Sequence, residues 1–189
     1  MRKLVTLMMA TVLSGTVVAQ TTIWKNDKAH SRLSFTVVHL KLSDVDGRFD
    51  DFEVKISNSK EDFSDAVFEL TTKVNSINTA IEKRDAHLKS SDFFNAAQYP
   101  TMTFKSTSIK KVGKNKFKLT GNLTMAGVKK VVTMDLVHRG TVKDQDNTKR
   151  AAFQLTGTIN RKDFNIGTST PNMVVSDIIK IKADGEFKS

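Results

Sequence analysis

The chain has 189 residues, a formal net charge of +10 and no cysteine. Without thiols there can be no cysteine nucleophile, thiolate metal centre or disulfide staple, so stability must come from an apolar core, which one domain of this length can build. The basic excess suits anionic surfaces or head groups, but a single Trp and a single Tyr offer little to stack on bases, which argues against nucleic acid.

Taken from the N-terminus, Arg2 and Lys3 precede an almost wholly apolar run from Leu4 to Leu13, and Val17-Val18-Ala19 ends in a small residue. That order of basic, apolar and small residues predicts a signal peptide over 1–19, cleaved after Ala19, and an exported domain over 20–189. The apolar run falls short of the ~20 residues that span a bilayer. No cysteine follows the cut to carry a lipid anchor.

Beyond the leader, apolar and polar residues alternate with period two, which predicts half-buried antiparallel strands. Leu33, Phe35, Val37 and His39 share the first face, and an Asp46-Gly47 turn leads to Phe52, Val54 and Ile56. Phe68, Leu70, Thr72 and Val74 form the third run, and Met102, Phe104 and Ser106 the fourth. Phe117 to Met125 is the fifth, carrying Gly121 on its apolar face, and after an Ala126-Gly127 turn come Val132, Met134 and Leu136. Ala151 to Ile159 and Ile179 to Phe187 complete eight runs. Lys110 to Lys116 and Lys129-Lys130 read as solvated hairpin turns, or as contacts to an anionic membrane surface.

One segment breaks the alternation. Between Ser76 and Ala97, Ile77, Ile81 and Leu88 are spaced for a helical face, and Thr79 with Glu82 fits a capping box. Ser90 or Ser91 can cap a second short turn that carries Phe93 and Phe94, and Pro100 stops it. The expected architecture is all-β: an eight-stranded antiparallel barrel with a short helical insertion between its third and fourth strands. Closure removes exposed edges, and a two-sheet sandwich is the alternative. Eight strands leave an interior that side chains just fill, or that holds one small ligand.

Catalytic signatures are sparse. His30 and His39 fall on opposite faces of one strand by parity, His87 lies in the insertion and His138 ends a later strand, so no metal site is expected. No Gly-x-Ser-x-Gly elbow or phosphate-cradling glycine loop occurs. No catalytic residue and no cofactor are nominated, and a binding protein is expected rather than an enzyme. The alternative is an enzyme acting in the same pocket. Twelve Phe supply apolar volume without a polar tip. Parity then selects an apolar lining of Phe35, Val37, Phe68, Leu70, Phe104, Leu119, Leu123, Phe153 and Leu155. His39, Arg84, His87 and Arg161 are the candidates for a ligand head group or the rim; Asp85 with His87, and Arg161, can equally brace the insertion and a loop.

Several blocks resemble one family. Asp27-Lys28-Ala29-His30-Ser31 with Phe35 and His39, then Gly47-Arg48-Phe49, are similar to the opening of the YceI-like proteins. Arg84-Asp85-Ala86-His87-Leu88, Asp92-Phe93-Phe94 and Tyr99-Pro100 with Phe104 resemble its central signature; Gly121 to Gly127 and Arg161 to Phe164 resemble its later blocks. Asn165 departs from it where glycine is expected, and Asn tolerates positive φ better than most residues. The resemblance implies a lipocalin-like barrel that holds a polyisoprenoid or similar long-chain amphiphile, a periplasmic location and a tendency to form homodimers.

Overall fold

Period-two alternation places large side chains on one face of each strand, and the computed structural model rolls those faces inward. It describes residues 20–189; the predicted signal peptide lies outside them. The strands are β1 (Thr22–His39), β2 (Ser43–Phe49), β3 (Phe52–Asn58), β4 (Val67–Lys73) and β5 (Ile77–Asn78). After α1 (Glu82–Lys89) come β6 (Thr101–Gly113), β7 (Lys116–Met125), β8 (Val128–Lys143), β9 (Lys149–Asn160) and β10 (Ile178–Lys188). Every pairing is antiparallel, in the order β1-β10-β9-β8-β7-β6-β4-β3 and back to β1. The eight predicted runs are the eight staves of this closed barrel.

Three local expectations are corrected. Asp46-Gly47 is not a turn: it lies inside β2, opposite Thr36 and Phe35 of β1, and the reversal is at Leu40-Lys41-Leu42. Asp-Gly is a strong local turn signal, but the Phe35 ring lies over Gly47, where a Cβ would sit 2.2 Å from its Cζ. Glycine is required there for close approach, which its sequence signal does not distinguish from a turn. Next, the insertion is helical only over α1; Ile77 is buried in β5 against the core, Ile81 is exposed, and Leu88 alone of the three lines the cavity inside the barrel. No side chain caps α1: Ala80 turns the chain at φ 63°, leaving Thr79 outside the cap position. Instead the Thr79 amide (2.8 Å) and hydroxyl (2.5 Å) both donate to Asp85. Lastly, β6 and β8 run through Lys110–Lys111 and Lys129–Lys130, so the actual turns are only Lys114-Asn115 and Ala126-Gly127.

The two ends of the barrel differ. One is plugged by Trp24, Ile56, Phe63, Phe68, Phe117, Leu119, Leu136, Phe153 and Phe187. Phe153 meets Phe63 and Phe68 edge-on at 5.0 and 5.4 Å, a favoured aromatic geometry. Trp24 donates its indole N–H to Asn58 at 2.7 Å, which satisfies the one polar atom it brings inside. The other end carries α1 and the long connections 74–100 and 161–177.

His138 leans on the plug, stacked on Phe153 at 4.9 Å and tilted against Phe63 at 4.8 Å. Burial pushes its pKa down, against a smaller opposing effect of a backbone hydrogen bond involving Gly140. The folded state therefore binds this proton less readily than the unfolded chain. The resulting stability is present above the unfolded value of about 6.5 and is lost as pH falls toward the folded one. Thermal midpoints measured from pH 7.5 to 5 should fall less in His138→Gln than in the unmodified chain. Equal slopes would place the ring in a solvated setting instead.

A candidate ligand cavity within the barrel

Above the plug the inward faces diverge around a cavity of about 540 Å³. Its floor is Phe68, Leu119, Leu136 and Phe153, the upper surface of the plug. Its walls are inward residues of the staves: Leu33, Phe35 and Val37 from β1, Leu70 from β4, Phe104 from β6, Leu123 from β7, Leu155 from β9, and Ile179, Ile181 and Ala183 from β10. Leu88, Phe93 and Phe94 reach in from the insertion, and Phe94 meets Phe49 edge-on at 6.0 Å. Gly121 keeps the wall thin, since a Cβ there would come within 2.5 Å of the Phe104 ring and the Lys105 carbonyl.

All thirteen residues nominated from the sequence lie along this cavity, but in different settings. Phe68, Leu119 and Phe153 are buried core side chains of the plug that also line it. Phe35, Val37, Leu70, Phe104 and Leu155 are half-buried and bound it more openly. Parity also marks Met102 on β6, Met134 on β8 and Ile179, Ile181 and Ala183 on β10, whose alternation is the same signal. By contrast, Ile166, Val174 and Val175 come from an irregular loop with no periodicity to reveal them.

The polar candidates separate further. Arg84 donates from Nε to the Thr79 hydroxyl and from Nη2 to its carbonyl, both at 2.7 Å, so it braces the entry to α1. His87 lies 3.3 Å from Asp92 and edge-on to Phe93 at 5.0 Å. His39 closes β1 at the same end, where it bridges to Val175. Arg161 is only 3% exposed, and all of its N–H groups are taken by the chain. They serve the carbonyls of Ser176 (3.2 Å), Ile166 (3.0 Å), Gly167, Thr170 (2.7 Å) and Val175 (3.1 Å), and the Asp177 carboxylate (2.8 Å). Of its two sequence readings, the loop brace is the one the geometry supports. A free head-group contact would break bonds already made. Asn165, just beyond it, adopts φ 57° and ψ 25°, the left-handed conformation that asparagine tolerates.

The barrel wall has one break. β1 pairs with β3 over Thr22–Lys25 and with β2 over Leu33–His39, and on its other side a register shift against β10 separates Asn26 from Ser31. Opposite this stretch the chain bends at Asp50-Asp51 between β2 and β3. Asp27 anchors the bulge, accepting from the Ala29 amide at 3.0 Å and from Lys188 at 2.6 Å. Lys188 holds the Asp27 carboxyl far below the usual carboxylate range. The break opens on a polar recess of about 370 Å³ lined by Asn26, Lys28, Ser31, Arg32, Arg48, Phe49, Asp50 and Phe52. Asn26, Ser31, Arg32, Phe49 and Phe52 also line the main cavity, so these residues form the wall between the two.

Comparison with known proteins places this architecture. The YceI-like domain model matches residues 24–187, nearly all of the barrel. The chain belongs to the YceI-like family. The protein YceI of Salmonella newport is 38% identical over 162 residues, which is 85% of this chain and 84% of that protein. The YceI protein of Campylobacter jejuni superposes with a TM-score of 0.74 at 36% identity, over 80% of this chain and 89% of that one. BcnA of Burkholderia cenocepacia gives a TM-score of 0.76 at 25% identity, over 85% and 98%. A polyisoprenoid binding domain from Saccharophagus degradans, implicated in plant cell wall breakdown, gives 0.68 at 18% identity over 90% and 99%, a likeness of fold. Among the described residues of this YceI-like barrel, no three His, Asp or Glu side chains gather as a metal would require.

Proposed function

We propose that this YceI-like protein is a periplasmic carrier that holds one long-chain amphiphile, of the polyisoprenoid kind, inside its barrel. The observation that carries the reading is the cavity of about 540 Å³ bounded by Phe, Leu, Ile and Met. That size lies within the ~300–1,000 Å³ span of small-molecule sites. An apolar chain would supply partner atoms for this apolar lining. Burying several hundred Å² of it gains on the order of 10 kcal/mol at ~25 cal/mol/Å², and ordering subtracts several. Useful affinity then needs no strong polar contact, which matches a lining that presents bulk rather than functional groups. The fold shared with a polyisoprenoid binding domain is in keeping with this ligand class. Export is supported by the basic, apolar and small order of residues 1–19.

Native mass spectrometry of the protein purified from a periplasmic extract, with lipid extraction and N-terminal sequencing, tests each part. The expected result is a mature chain beginning at Gln20 with one prenyl or acyl amphiphile bound. A chain that carries no lipid and takes up neither a polyprenol nor a fatty-acid probe would overturn the carrier reading. Retention of Met1 would overturn cleavage after Ala19.

A further inference from the structure

At the end that carries α1, two turns leave large apolar side chains in water. β1 reverses into β2 through Leu40-Lys41-Leu42, where the Leu42 amide donates to the His39 carbonyl at 2.9 Å. The loop before β10 turns over 171–174, where the Val174 amide donates to the Pro171 carbonyl at 2.9 Å. The Leu40 amide donates to the Val174 carbonyl at 3.0 Å, so the two turns are bonded to each other. Leu42 is 85% exposed, and Leu40, Met173 and Val174 are exposed with it. Single exposed apolar residues are ordinary, but these sit together on two joined turns and form a patch.

Folding does not account for that patch. Leu40 and Lys41 are both left-handed, at φ 51° and 58°, a conformation that asparagine and glycine adopt at lower cost. The strain is not repaid by packing, because Leu42 reaches only solvent. The surrounding charge is cationic. Asp44 lies 3.7 Å from Lys180, and Asp177 is held by Arg161 and Lys162, so the carboxylates of these segments are engaged. Among the described residues Lys41 forms no ion pair. The same holds for Lys129 and Lys130, exposed just past the Ala126-Gly127 turn at this end. Leucines flanking a free lysine complement an anionic bilayer, whose apolar layer takes the leucines while lysines stay among the head groups. A second copy of this chain fits less well, since a symmetric contact would bring the free lysines toward one another.

We propose that these two turns dock the α1 end of the barrel on a phospholipid bilayer with anionic head groups, Leu42 and Met173 entering its apolar layer. Val174 belongs both to the patch and to the lining of the cavity, as do its neighbours His39 and Val175 to the lining. A docked barrel therefore meets the bilayer along residues that lead into the cavity, and an apolar chain passing between them is shielded from water. That use of the surface rests on the carrier reading, whereas the docking does not, and the experiment separates the two.

The chain purified from a periplasmic extract is mixed with vesicles of phosphatidylcholine, with and without phosphatidylglycerol, and the bound fraction is measured by flotation. Binding should be about tenfold stronger to the anionic vesicles. Leu42→Ser should weaken it about tenfold, by the apolar surface removed, and Lys41→Asn about threefold, by one charge. Leu42 is exposed and asparagine suits the φ of Lys41, so both variants should keep the melting midpoint of the unmodified chain. Val142→Ser, at an exposed apolar position of β8 toward the plugged end, should bind as before. Because the chain has no cysteine, Leu42→Cys and Val142→Cys can each carry a single nitrobenzoxadiazole label. Emission from the first should shift to the blue on anionic vesicles and that from the second should not. No vesicle binding by the unmodified chain, or equal losses in Leu42→Ser and Val142→Ser, would overturn the docking surface and leave the carrier standing. Vesicle binding without uptake of a polyprenol probe would remove the carrier reading and leave the docking surface in place. Self-association in sedimentation that Leu42→Ser abolishes, with the label at position 42 shifting in the absence of vesicles, would overturn the proposal and give this face to a second copy.

Discussion

Arg161→Met is expected to lower the thermal midpoint by about 10 °C, the largest single-site effect on stability that this structure suggests. The replacement preserves an aliphatic stem but strips partners from five carbonyls between Ile166 and Ser176 and from the Asp177 carboxylate. Breaking a buried charged network by removing one member costs ~3–5 kcal/mol, and each kcal/mol shifts the midpoint of a domain this size by ~2–4 °C. Asp177 keeps Lys162 at 3.2 Å, which limits the damage on that side. Arg161→Lys should recover little, because an ammonium cannot direct five donors in a plane toward separate carbonyls. The loop it braces supplies Ile166, Thr170, Val174 and Val175 to the cavity, so ligand affinity should fall along with stability. Differential scanning calorimetry of both variants checks this. A midpoint within about 2 °C of the unmodified chain would show that the carbonyls find other partners.

Ala183→Trp is expected to weaken binding of a long-chain probe by at least tenfold, or about 1.4 kcal/mol, while the barrel stays folded. Ala183 lies on β10 opposite Leu33 of β1 and Leu155 of β9, and all three line the cavity. An indole there grows into open volume rather than into packed neighbours, so the usual overpacking cost of ~1–3 kcal/mol is largely avoided. It should occupy the space that the apolar chain needs. Lys182→Trp, one residue away and on the outer face beside Asp184, serves as the control and should bind as before. Fluorescence titration with a polyprenol probe, alongside melting curves, checks both variants. Unchanged binding by a folded Ala183→Trp barrel would place the ligand elsewhere.

Much of this barrel is legible residue by residue. Side chains on a strand alternate between faces whatever the strand packs against. Phe35, Val37, Leu70, Phe104 and Leu155 could therefore be assigned inward before any pairing was known. The same rule could not tell floor from wall: Phe68, Leu119 and Phe153 carry an identical signal but belong to the plug. That distinction depends on which strands face each other at which height, a matter of register. Gly47 shows a local signal overruled, because its turn-forming sequence was needed to make room for Phe35. Thr79 and Glu82 show another, because one residue at positive φ moved the cap out of position.

By itself the sequence determined the strand faces, the insertion's place between the third and fourth staves, the absence of thiol chemistry and the similarity to the YceI-like family. Each of these follows from neighbours within a few residues, or from residue types alone. Only the tertiary structure decided that the interior is hollow above a packed plug, that Arg161 is bonded to its own loop, and that the wall opens beside Asn26. Those three depend on the closure of β1 onto β10 and on β1 leaving β3 for β2, contacts between segments far apart in the chain. Short-range periodicity carries no record of such pairings, because the same alternating strand fits any neighbour whose register brings apolar faces together.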